Sequence, residues 1–518
     1  MQDNTEFNKS LKKIFRSSVI FFICLFIGKL LVYVYRVIIA RTLGAEVYGL
    51  FSLANMIVLW VSVCASLGFS EAIPRYIPIF RGKGRIDNIR FIFRHTLKYL
   101  LVSSISGGIL LFLLSETIAI KIFHNTDLII YLKILSLAVP LMVISTIFIA
   151  MLRSYEKITW YILISYIFHN IASVVFIIIL LIIGFSDLAI IISYLVGYFV
   201  SLISSIIISR HTIPEIYKKD YRIDNEKKKL SKEFIRYSLP LLFSSFIGIL
   251  YSWIDSFSLG YFKGPLEVGL YNAAMPIALI LAITPELFMG LYFPLISEAY
   301  AKKKMPLIKE LSKQVGKWVF MINVPILMLI FIFPEVFLRI LFGSEFIESS
   351  TALRILVIST FILSFTGPLT RKLIQLTGKS KLIFYNVLVL AGTNFFLNSI
   401  FVPMEKIGFI DNANGINGAA IATLLSSIIL ATIFISEVSY HLKFIPIRKK
   451  VVSLFIIAAL SGVLVLVIKS LIINTLLSSI MLSIFFLALY AILFFLTHAL
   501  DDNDIMILKS IKKKFFNF

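Results

Sequence analysis

The sequence predicts an all-α polytopic membrane protein with about fourteen transmembrane helices. Three observations predict it. The chain is 59% hydrophobic and only 15% charged, with a mean hydropathy of +0.95. A soluble domain of this size would be nearer half apolar and a quarter charged. Runs of roughly 18 or more mostly apolar residues recur along the whole length, as membrane helices require. The cations, finally, are dense in every second connecting loop and sparse in the others.

In chain order the runs lie at about 14–40, 47–69, 89–115, 128–152, 158–183, 188–209, 234–260, 266–296, 314–342, 349–370, 381–402, 415–437, 451–472 and 474–497. Continuous runs of this kind argue against strands, since membrane barrels give short alternating segments. The first run is too long for a cleaved signal peptide and lacks a small-residue cleavage site. It is therefore expected to stay as a signal anchor.

The formal net charge is +22. On a soluble protein that excess would suggest nucleic acid. Here its placement points elsewhere. With the N-terminus in the cytoplasm, 40 of the 50 Lys and Arg fall in the N-terminal segment, the even-numbered loops and the C-tail. The odd-numbered loops hold 8, and the last two are Lys29 and Arg36. This is the positive-inside pattern. It predicts a multi-pass protein of the cytoplasmic membrane with both termini in the cytoplasm and no nucleic-acid partner. Contact with anionic membrane lipids is a secondary use of the same charge.

The chain also matches itself at an offset of 220 residues. "FIGKL" at 26–30 returns as "FIGIL" at 246–250, and "LGAEVYGLFSLA" at 43–54 returns as "KGPLEVGLYNAA" at 263–274. The alignment runs without a gap from Arg16/Arg236 to Pro74/Pro294. The most telling identities are Gly28/Gly248, Gly44/Gly264, Gly49/Gly269 and Pro74/Pro294. The offset sets span 1 on span 7, so the repeat unit is six spans. An even number keeps the two copies parallel, related by an axis along the membrane normal, as in transporters with a central site. The expected division is an N-terminal six-helix lobe at 1–209, a basic cytoplasmic linker at 210–233 and a C-terminal lobe at 234–440. Two extra helices and a basic tail follow at 441–518.

Within the first run, "FIGKLLVYVYR" carries Lys29 and Arg36. A charge near a helix centre costs about 2.5–3.5 kcal/mol on insertion, so such residues usually face a cavity or a partner. Seven residues are about two turns, which sets both cations on one face about 10 Å apart. That pair suits an extended anion such as a diphosphate, with Arg as a planar fork and Lys as a point charge. The bland alternative is snorkelling to the interface. The repeat mates, Ile249 and Ser256, are uncharged. The second copy carries an acid instead, Asp255, which aligns with Tyr35 and so faces about 100° away. A second acid, Glu286, follows Pro285, whose missing N–H frees a carbonyl. Asp255 and Glu286 are candidates for holding a coupling H+ or Na+ or for balancing charge. For Asp255 a salt bridge to Arg36 or Lys29 is the alternative, and for Glu286 a buried acid paired locally.

Soluble-enzyme motifs are absent. There is no GxxxxGK[ST], no HExxH and no GxSxG, so no catalytic residue, metal ligand or cofactor is assigned and the protein is not expected to be an enzyme. The six histidines, His95, His124, His169, His211, His441 and His498, are scattered. Cys24 and Cys64 lie in apolar spans and are taken as small buried hydrophobes. "DNANGINGAA" at 411–420 is a Gly/Asn turn into span 12 whose small residues allow close helix packing.

Four stretches carry a resemblance. "RTLGAEVYGLFSLANMIV", "LGFSEAIPRYIPIFRGKGR", "WIDSFSLGYFKGPLEVGLYNAA" and "LIQLTGKSKLIFYNVLVLAGTNFFLNSIFVPMEKIGFIDNANGINGAAIATLL" resemble the polysaccharide-biosynthesis branch of the multidrug/oligosaccharidyl-lipid/polysaccharide exporter superfamily, over roughly residues 10–440. The resemblance implies two six-helix lobes around a V-shaped cavity. It implies alternating access and flipping of a lipid-diphosphate-linked oligosaccharide for cell-surface glycan synthesis, beside glycan-synthesis proteins. Cationic cavity residues in the first lobe are a trait of the family, and Lys29 and Arg36 fit it. Two other readings stand beside this one. A cation-coupled drug antiporter of the same superfamily would want an acidic first lobe, whereas the acids here lie mainly in the second half. A membrane scaffold for glycosyltransferases would not depend on Lys29.

Overall fold

The computed structural model describes residues 2–218, 225–448, 450–472 and 475–496. The expected tail beyond 496 and the middle of the expected linker, 219–224, lie outside them. Among the described residues, each of the fourteen apolar runs falls mainly on helix. Thirteen helical stretches among the described residues are long and apolar enough to cross a membrane, and the first, Cys24–Gly82, carries most of two of the runs. The protein is a multi-pass helical membrane protein. Helices dominate because each backbone group in a bilayer must find its partner within its own segment.

The chain forms two compact units, Met1–Asn272 and Ala273–Phe518. In the first, α1 (Gln2–Ala65), α2 (Phe69–Gly82), α3 (Ile86–Thr117), α4 (Leu128–Leu135) and α5 (Ala138–Ser154) are followed by α6 (Ile158–Ile162), α7 (His169–Ile182), α8 (Asp187–Thr212), α9 (Asn225–Phe262) and the start of α10 (Pro265–Ala278). The boundary at 272/273 thus falls inside the second of the spans that the sequence repeat assigns to the later half.

Helix α1 breaks at Gly44, with φ 84° and ψ 177°. Its repeat mate Gly264, at φ 145°, separates α9 from α10. Only glycine takes such angles without strain. Beyond the break, α1 is buried on every side from Tyr48 to Val58. A helix apolar all round is a central one. Residues 268–272 of α10, the mates of 48–52, are likewise wholly buried.

These two segments meet at their glycines. A Cβ added to Gly49 would lie 1.7 Å from the Pro265 carbonyl oxygen, and one added to Gly269 would lie 1.9 Å from that of Ala45. Since 45 matches 265 and 49 matches 269, the contact is reciprocal under the offset of 220. The Tyr48 hydroxyl adds a bond to the Asn272 carbonyl, 3.2 Å.

The second unit holds α11 (Ile283–Ala301), α12 (Met305–Ile332), α13 (Pro334–Leu341), α14 (Ser350–Leu376), α15 (Ser380–Phe401), α16 (Ile416–Leu442), α17 (Lys450–Leu471) and α18 (Leu476–Leu496). A two-residue hairpin, β1 (Lys406–Ile407) with antiparallel β2 (Ile410–Asp411), precedes α16. The turn after it is organised by Asn412, which donates to the Phe401 and Met404 carbonyls and accepts from the Gly418 amide at 2.6 Å. Gly418 lies so close to the Phe401 carbonyl that a Cβ would stand 2.3 Å from it. The extra helices α17 and α18 dock on α12 through Phe320, Val324, Leu454 and Phe494. Ile332, Val465 and Phe486 continue that core.

Candidate functional site

The kink at Gly44 comes after both cations, so Lys29 and Arg36 stand on one unbroken length of α1. Their direction is set by the residues just before them. Gly28 is buried against Tyr166, where a Cβ would meet the tyrosine Cβ and carbonyl oxygen at 2.7 Å. One heptad on, Tyr35 is buried and its hydroxyl donates to the Ile190 carbonyl at 2.9 Å, 3.0 Å from the Ser193 hydroxyl. With 28 and 35 fixed inward, 29 and 36 are turned about 100° from that packed face. Lys29 is exposed and Arg36 is half-buried. Arg36 sits among Tyr33, Tyr48 and Tyr194, close enough to act on all three and to bond the Tyr48 hydroxyl. The arginine is thereby oriented by neutral partners, which leaves its charge uncancelled by them.

Beside this face lies a polar cluster that sequence reasoning missed. A π-helical segment, Leu163–Phe168, ends at His169. The His169 ring lies on that of Tyr198 with centroids 4.0 Å apart. Tyr198 is 3.3 Å from the Tyr194 hydroxyl, which donates to Asn55 Oδ1 at 2.5 Å. Gly197 makes the room, since a Cβ there would meet Ser173 Oγ at 2.1 Å and His169 Nδ1 at 2.7 Å. His169 and Tyr198 are half-buried. The one available signal was the pair of i, i+4 polar matches, His169/Ser173 and Tyr194/Tyr198, in otherwise apolar runs.

The two candidate acids fall in different units. Asp255 of α9 is half-buried and accepts a 2.6 Å bond from the Tyr271 hydroxyl. Its neighbour Ser256 accepts from Asn272 at 3.0 Å. Glu286 is exposed near the start of α11, just past a 3₁₀ turn at Leu279–Ala282. The carbonyl that Pro285 deprives of its helical donor is that of Leu281. It is taken by the fully buried Asn323, whose amide donates to it at 2.9 Å and to Ser364 at 2.8 Å. That carbonyl is therefore satisfied by the protein itself.

Fold and site define a polytopic helical membrane protein with a cationic, tyrosine-lined face near its N-terminus. Residues 14–300 match the family described as "Polysaccharide biosynthesis protein", which covers more than half of the chain, and the chain belongs to that family. Residues 240–400 also match the MatE family. A protein of Shigella flexneri named "Putative O-antigen transporter" is 25% identical over 66% of this chain and 80% of its own length. The probable low-salt glycan biosynthesis flippase Agl15 of Haloferax volcanii is 27% identical over 38% of this chain and 40% of its own. An uncharacterised membrane protein of Methanocaldococcus jannaschii is 25% identical over 48% of this chain and 47% of its own. The chain spans about half the length of the first curated relatives it matches. Among solved structures, the lipid II flippase MurJ in an inward closed conformation superposes with a TM-score of 0.67 at 16% identity. That match covers 92% of this chain and 99% of MurJ. An inward-facing multidrug resistance MATE transporter gives 0.65 at 15% identity, covering 80% of this chain and 95% of its own. These likenesses establish the fold.

Proposed function

We propose that this protein is a flippase that moves a lipid-diphosphate-linked oligosaccharide across the cytoplasmic membrane by alternating access, for cell-surface glycan synthesis. One observation carries the reading. In a chain of this family, a membrane helix holds Lys29 and Arg36 off its packed face, and the groups that orient Arg36 are neutral hydroxyls. Two cations on one face suit an extended anion such as a diphosphate, reached by their long side chains, and each charge-assisted hydrogen bond to it contributes roughly 1.5–3 kcal/mol. The names of the Haloferax and Shigella relatives support a glycan cargo. Positive-inside counting supports cytoplasmic termini.

Asp255 and Glu286 favour a second reading, a cation-coupled antiporter, because both lie within the MatE match. In the flippase reading they hold a coupling H+ or Na+, or balance charge. Flipping of a diphosphate-linked lipid in reconstituted vesicles tests the cargo. Lys29→Ile with Arg36→Ser, the residues of the second copy, should leave folding and insertion intact and slow flipping about tenfold or more per lost contact. Parental rates in a well-folded double variant would refute the assignment.

A further inference from the structure

A cavity of about 560 Å³ opens in the second unit between the first turns of α12 and the segment joining α16 to α17. Lys309 and Lys313 line it from α12, and Arg448 and Lys450 line it from the joining segment, with Ile445 and Ile447 between. We propose that this cavity binds the phosphate-bearing headgroup of an anionic membrane phospholipid.

Four cations converge on it from two separate elements. Its one acid, Glu310, is engaged by Arg448 Nη2 at 2.6 Å, and Gln314 takes the other terminal nitrogen of the same guanidinium. Arg448 is thereby held in one orientation with its charge paired to Glu310, while Lys309 and Lys313 line the same cavity from α12. Phosphate oxygens are acceptors that suit ammonium groups gathered around such a cavity, and Lys309 and Lys313 supply them. A topological charge excess would by itself need no concavity and no such convergence.

The cavity also lies at headgroup depth. Lys309 and Lys313 precede the apolar part of α12, while Lys450 opens the span Lys450–Leu471. These are the same ends of two helices that pack together through Val324 and Leu454. Both loops are even-numbered, so the Lys and Arg asymmetry assigns them to the cytoplasmic leaflet, where anionic lipids concentrate. Ile445 and Ile447 are 48% and 37% exposed beside the cations. A free phosphate would have no use for them, whereas the glycerol and upper acyl chain of a lipid would cover them. Occupancy would tie the entry to α17 and α18 onto α12.

The full-length protein, stripped of lipid in detergent, should retain phosphatidylglycerol over phosphatidylcholine by native mass spectrometry and melt later in its presence. Lys309→Gln with Lys313→Gln should lower that retention about tenfold or more, the weight of two cations near a charged surface. Lys303→Gln with Lys304→Gln, an equal charge loss a few residues away, should leave it near the parental level. Equal losses in both variants would overturn the proposal in favour of diffuse charge. So would inorganic phosphate that delays melting as well as phosphatidylglycerol does at equal concentration. Should the first variant melt early without lipid, Lys309→Gln and Lys313→Gln are read singly against the same control.

Discussion

The two stretches that match at an offset of 220 residues share the geometry of their glycines and differ in their side-chain chemistry. Gly44 and Gly264 both adopt positive φ and end a long helix. Gly49 and Gly269 each lie on a carbonyl of the other copy. Around these fixed points the chemistry departs. Tyr35 packs edge-on against Phe51 in the first copy, with centroids 6.1 Å apart. At the matching positions of the second, Asp255 accepts a hydrogen bond from Tyr271. Arg36 reaches Tyr48 in the first copy, whereas Ser256 is bonded to Asn272 in the second. Gly28 is pressed on Tyr166, while Gly248 meets no described atom within 4 Å of an added Cβ. The lesson is that a glycine imposed by close backbone approach is needed in both copies, but a pair of side chains facing each other can change polarity together.

The largest effect is expected at the shared crossing. Gly49→Ala or Gly269→Ala sets a methyl under 2 Å from a carbonyl oxygen. Overpacking costs about 1–3 kcal/mol where side chains yield, and here backbone must move, so the cost should reach or pass the top of that range. Melting of the purified protein in detergent measures it, and a parental midpoint for either variant would break the comparison.

Next comes the charge asymmetry. Adding Ile249→Lys and Ser256→Arg to the Lys29→Ile, Arg36→Ser background restores the number of cations but moves them to the second copy. If Lys29 and Arg36 bind a diphosphate as proposed, flipping should stay about tenfold or more below the parental rate, because such a contact depends on position and not on net charge. Recovery by this transplant would mean that the two copies are interchangeable at the site.

A smaller effect is expected at the diverged pair. Tyr271→Phe removes a hydrogen bond to Asp255 and should destabilise by about 1.5–3 kcal/mol. Asp255→Asn keeps an acceptor oxygen there and should cost less. If Asp255 or Glu286 holds a coupling cation, Asp255→Asn or Glu286→Gln should also alter the sodium or pH dependence of transport. Unchanged ion dependence in both would leave them as structural residues. The smallest effect belongs to Gly248→Ala, which should stay within about 0.5 kcal/mol of the parent. Gly28→Ala should cost about 1–3 kcal/mol, because Tyr166 stands in its way. Equal melting shifts would erase the distinction between these two glycines.

The sequence by itself determined where the apolar spans lie, that the chain crosses a membrane many times, and that Lys29 and Arg36 share a helix face. Those features are local. In a bilayer every backbone bond closes within its own segment, so apolar length is enough to place a span. The sequence did not show α2 (Phe69–Gly82), which falls between two apolar runs, or the break in α1 at Gly44. Tertiary structure alone decided what stands beside those residues. Asn55, His169, Tyr194 and Tyr198 come from three distant segments and meet only because α1, α7 and α8 pack together. The freed carbonyl of Leu281, which in sequence invites a cation, is satisfied by Asn323, 42 residues further on. The basic cavity joins residues 309–313 to 445–450 in the same way. In a chain this apolar, contacts between helices depend on the rotation and depth of each span. Small residues and shape set these, and hydropathy carries no record of them.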